Sequence, residues 1–415
     1  LKVEKNAAVD FVAGTVETSV FDSFEDLSFL QVEWDEFVQQ VGGEIFLSFD
    51  WCRLWWKYYG GRRQLKVFVF RRQGRIVGLV PLFFEKLWLG PVFVRAVKLV
   101  GSDFTIPHFS IPVDPAYMEP VLRAFFAAVA DYKLDIIHIG PIAGIYSQYD
   151  RLLDTCRSLV GGSYSLVARD IDVQTYFNVP ETWEDYLAAL GAKERSKMKR
   201  HYRLALKAGA NPDTTVLADC ATEENFDAVF TDFVKMHQRH WCRFGQLGHF
   251  ADWPEAEQFH REVAAAQLKL NRLCLFAVML DDTCLGYKYG YIFGNRYFDF
   301  LDVRCDSTRM ANIGLGWIMY GEMIKKAIKN KATHIDSMRG YYKHKLEMGG
   351  QLRHTMSVYI IRRGWSRLTR AWLFRFAAWL LNLFYYRIWY NKVASRLRLK
   401  RKGLWTSWIR CNCFS

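Results

Sequence analysis

Three apolar runs of strand period follow one another between residues 273 and 303, and a helical stripe comes directly after them. Residues 273–280, 285–293 and 296–303 read as strands, separated by the turn pairs Asp281-Asp282 and Gly294-Asn295. The second pair is a hairpin signal. From 315 to 329 the residues Leu315, Ile318, Met319, Met323 and Ala327 fall on one face of a helix, and 335–338 opens another strand. A chain that switches from period 2 to period 3.6 and back buries its apolar faces by laying helices on a sheet.

The first part of the chain has the same character. Residues 65–70 and 75–84 read as two strands turned at Gln73-Gly74, 119–132 as a helix and 135–139 as a strand, an order that suggests a crossover unit. A second set begins near Asp172. Thr182 and Asp185 stand in a capping-box-like relation at a helix start, a very basic helix runs over 193–208, and another helix spans 223–241. The reading is α/β (α+β), with lobes at 1–170 and 171–361 and a tail at 362–415.

The chain has 415 residues, 51% of them apolar, enough for two cores. Its net charge is +13, but no acidic residue follows Glu347 and thirteen Lys and Arg lie between 354 and 415. The remainder is neutral, so the excess belongs to the tail and does not single out DNA as a partner. Nine cysteines without a C-x-x-C pair or zinc-like spacing fit a reducing compartment and no metal site. The first residues lack the apolar core of a signal peptide, which points to the cytoplasm.

Three segments of the second lobe resemble the CelD/FemAB-like (BioF2-like) branch of the GNAT acyltransferases. The first is Leu190-Gly191-Ala192-Lys193-Glu194-Arg195 and the basic helix it opens. The second is Phe233 to Trp241, containing His237, Arg239 and Trp241, followed by Gly245 and Gly248-His249-Phe250. The third, Asp336-Ser337-Met338-Arg339-Gly340-Tyr341-Tyr342-Lys343, is similar to the signature Asp-x-x-Arg-Gly-x-x-x-Tyr-Lys, with Tyr342-Lys343 arriving sooner after the glycine. In the first lobe, Val100-Gly101-Ser102-Asp103 and the approach to Ile111-Pro112-Val113 carry a weaker likeness. The resemblance implies two GNAT-like lobes in tandem, an acyl-CoA thioester as donor with acetyl-CoA the first choice, and an amine acceptor. It implies an exopolysaccharide or holdfast setting, with an amino sugar or lipid-linked precursor as substrate. More distant relatives transfer amino acids from charged tRNA to peptidoglycan precursors. That activity is one alternative, and a non-catalytic nucleotide-binding scaffold is another.

For such chemistry Asn312-Ile313-Gly314-Leu315-Gly316 is the expected cofactor loop, since it follows a strand, opens a helix and offers backbone N–H groups to a pyrophosphate. The family's usual Gln or Arg three residues before the first glycine is Ala311 here. Amine attack also needs a base. His237 is the first candidate, or else it orders a helix face, and Asp302 is the second, or else it pairs with Arg304 or Arg309. Tyr342 is a candidate proton donor to the leaving thiolate. Arg239, Trp241, Asp336, Arg339 and Lys343 are candidate acceptor contacts, with a structural lock of Asp336 on Arg339 as the plain alternative.

The tail has its own logic. Over 363–383, Trp365, Trp372, Trp379 and Leu383 share a face opposite Arg363, Arg367 and Arg370, the pattern of a helix lying on an anionic membrane surface. The uncharged stretch 376–386 is about half the roughly 20 residues needed to span. Lys392, Arg396, Arg398, Lys400, Arg401 and Lys402, with Trp405 and Trp408, extend the basic aromatic character. Two other readings stay open: the helix docks on the protein's own body, or Arg363 and Arg367, one turn apart, clamp cyclic-di-GMP. Together these readings place the protein on the inner face of the cell membrane, peripherally bound.

Overall fold

The computed structural model describes residues 16–89, 92–102, 108–207, 216–280, 283–305, 313–397 and 399. Ala311, Asn312, Arg309 and the basic segment from 400 onward, which figure in the expectations above, lie outside the described residues, as do Asp103 and Arg398.

In chain order the elements begin with β1 (Glu17–Phe21), α1 (Gln31–Gln40), α2 (Phe49–Tyr59), β2 (Gln64–Arg72), β3 (Arg75–Leu89), β4 (Val92–Leu99), α3 (Met118–Ala130), β5 (Ile136–Ile142), α4 (Tyr149–Val160) and β6 (Tyr164–Asn178). Next come α5 (Trp183–Ala189), α6 (Ala192–Lys207), β7 (Val216–Asp219), α7 (Phe226–Cys242), α8 (His249–Asp252), α9 (Ala256–Lys269), β8 (Leu273–Leu280), β9 (Thr283–Phe293) and β10 (Arg296–Arg304). The chain ends with α10 (Leu315–Lys329), β11 (His334–Arg339), α11 (Lys343–Glu347), β12 (Gln351–Arg362) and α12 (Trp365–Leu381), which runs on as a wider helix over Asn382–Val393. It is a mixed α/β fold, as the periodicities predict.

Contacts divide the chain into two compact units. The first holds the described residues up to Ile171 and again 354–389, with strands in the order β1-β2-β3-β4-β5-β12. Gln73 and Gly74, both left-handed, turn β2 into β3, and α3 carries the chain from β4 to the parallel β5. Strand β4 has no counterpart in the sequence reading, which passes from β3 to the helix. β5 reads Ile-Ile-His-Ile-Gly-Pro-Ile and is buried along its whole length, as expected of an inner strand covered on both faces.

The second unit holds Asp172–Arg353 and the described residues from Tyr390 onward, with strands in the order β6-β11-β10-β9-β8-β7. Thr182 caps α5 by accepting from the Asp185 N–H, and its hydroxyl donates to the Asp185 carboxylate at 2.6 Å. The expected stripe of α10 is fully buried, but Trp317, Tyr320 and Glu322 on its other faces are buried as well. This helix is packed on nearly all sides. Its core partners include Phe177, Tyr186, Leu190, Met198, Phe276 and Tyr297.

Helix α12 belongs to the first unit and docks there by the side that carries Ala371, Phe374 and Ala378, all buried. Arg370 reaches the buried Asp135 at 3.1 Å, and Arg367 stands 4.0 Å from the same carboxylate. Arg363 is exposed, and its backbone N–H donates to the Ser163 carbonyl. The tryptophans take no part in the docking: Trp365 is 90%, Trp372 63% and Trp379 43% exposed. No helix among the described residues is long and apolar enough to cross a membrane. The two sides of α12 should therefore differ in thermal unfolding. Phe374→Ala is expected to cost about 3 kcal/mol or more, and Trp372→Ala to stay within about 0.5 kcal/mol of the unchanged chain.

Candidate active site

The opening that makes a site in the second unit comes from two strands that part. β10 and the parallel β11 pair only from Arg296 with His334 to Phe298 with Asp336. Beyond that, β10 continues beside β9 as far as Arg304, while β11 stays beside β6 as far as Arg339. Register breaks after Asp299 and after Asp336 accompany the parting, and Met338 adopts a left-handed backbone at φ 62°.

A buried polar cluster sits where the strands separate. Lys288 of β9 pairs with Asp299 of β10, and the Ser337 hydroxyl of β11 donates to the other Asp299 oxygen at 2.7 Å. The Lys345 ammonium donates to the Ser337 carbonyl at 2.6 Å. Burial works against the Asp299 anion, but the Lys288 and Lys345 charges and the bonds from Lys288 and Ser337 outweigh it and hold its pKa below the usual carboxylate range. Burial pushes the Lys345 ammonium down.

Beside this cluster is a cavity of about 320 Å³. Asp302, Val303 and Arg304 reach it from the end of β10, Gly314, Gly316, Trp317 and Tyr320 from α10, His240 and Trp241 from α7, and His344 and Met348 from the segment after β11. Gly314 caps α10 at φ 63°, and a side chain there would also meet the His201 ring at 2.4 Å. Only glycine fits. Gly314 and Gly316 bring the start of α10 to this mouth, where the Trp317 N–H donates to the Gly314 carbonyl at 2.8 Å. The Tyr320 hydroxyl lies 3.4 Å from Ser337 Oγ, and burial, reinforced by the Asp299 and Asp302 charges, keeps the phenol protonated far above its ordinary range. Burial, then the Lys345 charge, lowers the pKa of His344.

The expected residues divide into two groups. Asp302, Trp241, Gly314 and Gly316 meet in the cavity. Asp302 has no salt bridge among the described residues, so pairing with Arg304 does not remove it. Ile313 and Leu315 turn their side chains into a core with Ala205, Val278 and Ile318 and can offer a ligand only backbone.

His237 requires a correction as base. It is buried, its Nε2 accepts the Trp241 indole N–H at 3.0 Å, and burial, with the nearby His240, depresses its pKa to about 3. Through that bond it holds the Trp241 indole. Arg239 lies in a neighbouring basic cavity. Asp336 is buried and accepts from Gln174 Nε2 at 2.8 Å and the Met338 N–H at 3.0 Å, while Arg339 pairs with Asp172 at 3.0 Å. Lys343 is exposed, 4.0 Å from Glu347. Tyr342 is 48% exposed and does not line the cavity, where the phenol is that of Tyr320.

His344, Lys345, Tyr320 and the Lys288–Asp299 pair were missed, although a signal for two of them was present. If the spacing of Asp-x-x-Arg-Gly-x-x-x-Tyr-Lys is kept from Asp336, its last two positions fall on His344 and Lys345. Matching residue identity instead of distance leads to Tyr342-Lys343.

Residues 192–346 match the family model of the acetyltransferase (GNAT) domain. The second unit carries a GNAT-type N-acyltransferase domain. No curated protein sequence matches the chain. Among solved structures, FemX is similar at a TM-score of 0.57 and 14% identity, over 80% of this chain and 96% of that one. A conserved protein of unknown function from Bacteroides thetaiotaomicron is similar at a TM-score of 0.49 and 12% identity, over 83% and 99%. A tandem GNAT protein from the clavulanic acid biosynthesis pathway reaches 0.40 and 10%, over 84% and 99%. The FemX likeness shows the fold, a tandem GNAT-like arrangement.

GNAT domains use acyl-CoA, and the residues present suit its pyrophosphate. A Cβ on Gly316 would stand 3.0 Å from an Arg304 guanidinium nitrogen, so the glycine lets a cation close against the helix start. Among the described residues no group of three His, Cys, Asp or Glu is arranged to hold a metal ion.

The buried histidines of the GNAT domain make its stability depend on pH. Burial holds His237 and His260 neutral down to about 3. The unfolded chain, with ordinary imidazoles, takes up protons below about 6.5 while the fold does not. Stability is therefore complete above that pH and falls as the pH drops toward 3, by on the order of 1 kcal/mol per pH unit for each histidine. Denaturant midpoints measured at pH 7.5, 6 and 5 should decline, and His237→Gln should flatten the slope.

Proposed function

We propose that the protein moves an acyl group, acetyl in the first instance, from a CoA thioester to an amine of a polysaccharide or other cell-envelope precursor at the cytoplasmic face of the membrane. The observation that carries this reading is the convergence of the Gly314–Gly316 helix start, Asp302 and Tyr320 on one cavity. Acyl-CoA supplies the acyl group as an activated thioester. The backbone amides of the α10 start and Arg304 hold its diphosphate, and the parted strands leave backbone groups free to align the pantetheine arm. Asp302 accepts the proton of the incoming ammonium, directly or through one water, so that the amine lone pair forms the new C–N bond. Tyr320, kept protonated by burial, donates a hydrogen bond to the departing thiolate, which takes its proton from solvent through the cavity mouth. Trp241, fixed by His237, walls the side on which the acceptor enters.

Asp302→Asn is expected to lower kcat about a hundredfold or more, and Tyr320→Phe about tenfold, with the KM for acetyl-CoA little changed in either. Thiol release in the presence of amino-sugar acceptors measures both. Wild-type rates in both variants would remove Asp302 and Tyr320 from these roles.

The membrane part of the proposal rests on the outward face of α12. Trp365, Trp372, Phe376 and Trp379 are exposed side by side on a helix whose other face is docked, with a basic, acid-free sequence following. Replacing Trp365, Trp372 and Trp379 together by Ser leaves the docked face intact. The triple variant should bind vesicles rich in anionic lipid about tenfold or more weakly in co-sedimentation, whereas undiminished binding would overturn the assignment.

A further inference from the structure

A second cavity of about 400 Å³ in the same domain has four Lys and Arg side chains in its lining. Lys235, Arg239 and Arg243 stand at four-residue intervals along one face of α7, and Arg304 faces them from the end of β10. Asp232 is its one acidic lining residue. Among the described residues, Lys235, Arg239 and Arg304 have no carboxylate within salt-bridge distance. A run of basic residues along a helix is usually a solvated face. Here Arg304 converges on the run from a separate element, and Tyr287, Cys284 and Cys305 line the hollow between them, while Lys235, Arg239 and Arg243 stand at its exposed rim. His240 and Arg304 line both this cavity and the one holding Asp302, so the two meet at those side chains.

We infer that this hollow is the subsite for a phosphate or diphosphate group on the acceptor, so that the substrate amine belongs to a phosphorylated molecule. The inference rests on the acyltransfer reading, because that reading assigns the α10 amides to the donor's own diphosphate and leaves them unavailable for a second anion. Guanidinium and ammonium groups converging from two elements suit a multiply charged anion, with the arginines able to grip two oxygens each. An acceptor held there by its phosphate reaches the Asp302 cavity past His240 and Arg304, and Arg304 lies against both anions. Arg339 and Lys343, expected to hold such a group, are respectively paired with Asp172 and directed to solvent.

The test titrates inorganic pyrophosphate into the full chain by calorimetry, with the donor site saturated either by CoA or by dephospho-CoA, which lacks the 3′-phosphate. Lys235 and Arg239 are exposed, so the double variant Lys235→Ala/Arg239→Ala should fold normally, as its unfolding temperature will report. Pyrophosphate is expected to bind with either form of CoA present and at least tenfold more weakly to the double variant. Absence of binding, or binding indifferent to the two substitutions, overturns the subsite. Binding that survives dephospho-CoA but is abolished by CoA overturns the acceptor assignment and gives the hollow to the donor's 3′-phosphate. The acyltransfer reading is judged separately in the same instrument, by acetyl-CoA binding: if that fails while pyrophosphate binds through Lys235 and Arg239, the anion subsite stands and the donor assignment falls.

Discussion

Everything in the catalytic domain depends on keeping β10 and β11 apart after three paired residues without leaving the fork unsatisfied. Two parallel strands that separate expose backbone groups and whatever lies beneath them, and water would compete for both. The Lys288–Asp299 pair with Ser337 fills that position. A buried ion pair is costly to desolvate, several kcal/mol per ion, and its attraction offsets this only when the remaining lone pairs are also bonded. Asp299 meets the condition through Ser337, and Ser337 ties β11 to β10 past the point where their backbones stop pairing. The cluster thus sets the width of the fork by side-chain length. Removing one member would leave a buried charge, whereas removing the fork would leave no cavity.

Much of this architecture was legible in the sequence because it is periodic. The strands 273–280 and 296–303, the helix 315–329 and its buried stripe, and the Thr182 cap follow from local patterns, and the structure places them within a residue or two of expectation. The candidate residues that meet in the cavity stand out in the sequence for a related reason. Gly314 and Asp302 sit at element ends, where strand-to-helix chemistry marks them. His237 misled because a histidine in a suggestive motif has the right unperturbed pKa, and nothing local reveals that Phe233, Phe250 and Trp241 enclose it. Burial is a tertiary property. Lys288, Asp299 and Ser337 were invisible because their meaning is a contact across three strands, and no single segment contains it.

The tail helix carries a similar lesson about amphipathicity. Its sequence pattern has a tryptophan face and an arginine face, and the simplest reading sends the first to lipid and the second to water. The structure uses a third face, narrow and built of Ala371, Phe374 and Ala378, for docking. Small residues let the helix lie close, and Arg370, bonded to buried Asp135, adds a charge-assisted contact that fixes its rotation. The same contact draws in Arg367, which would have to leave Asp135 to serve a nucleotide. A helix rotated to hide its tryptophans would have to give up these contacts, so the apolar face stays outward because of how the opposite face is bound.

The overall charge conceals the more useful distribution. Residues before the tail are neutral in sum, yet α7 presents Lys235, Arg239 and Arg243 together on one side, while the other side of the same helix is the aromatic, histidine-lined core around Phe230, Phe233 and His237. A helix so divided does two jobs at once. Its inner face holds Trp241 through an imidazole whose charging burial disfavours, and its outer face keeps its cations where water solvates them. Had His237 titrated near neutrality, a proton taken up there would have placed a buried charge beneath Trp241 and added repulsion to the basic face.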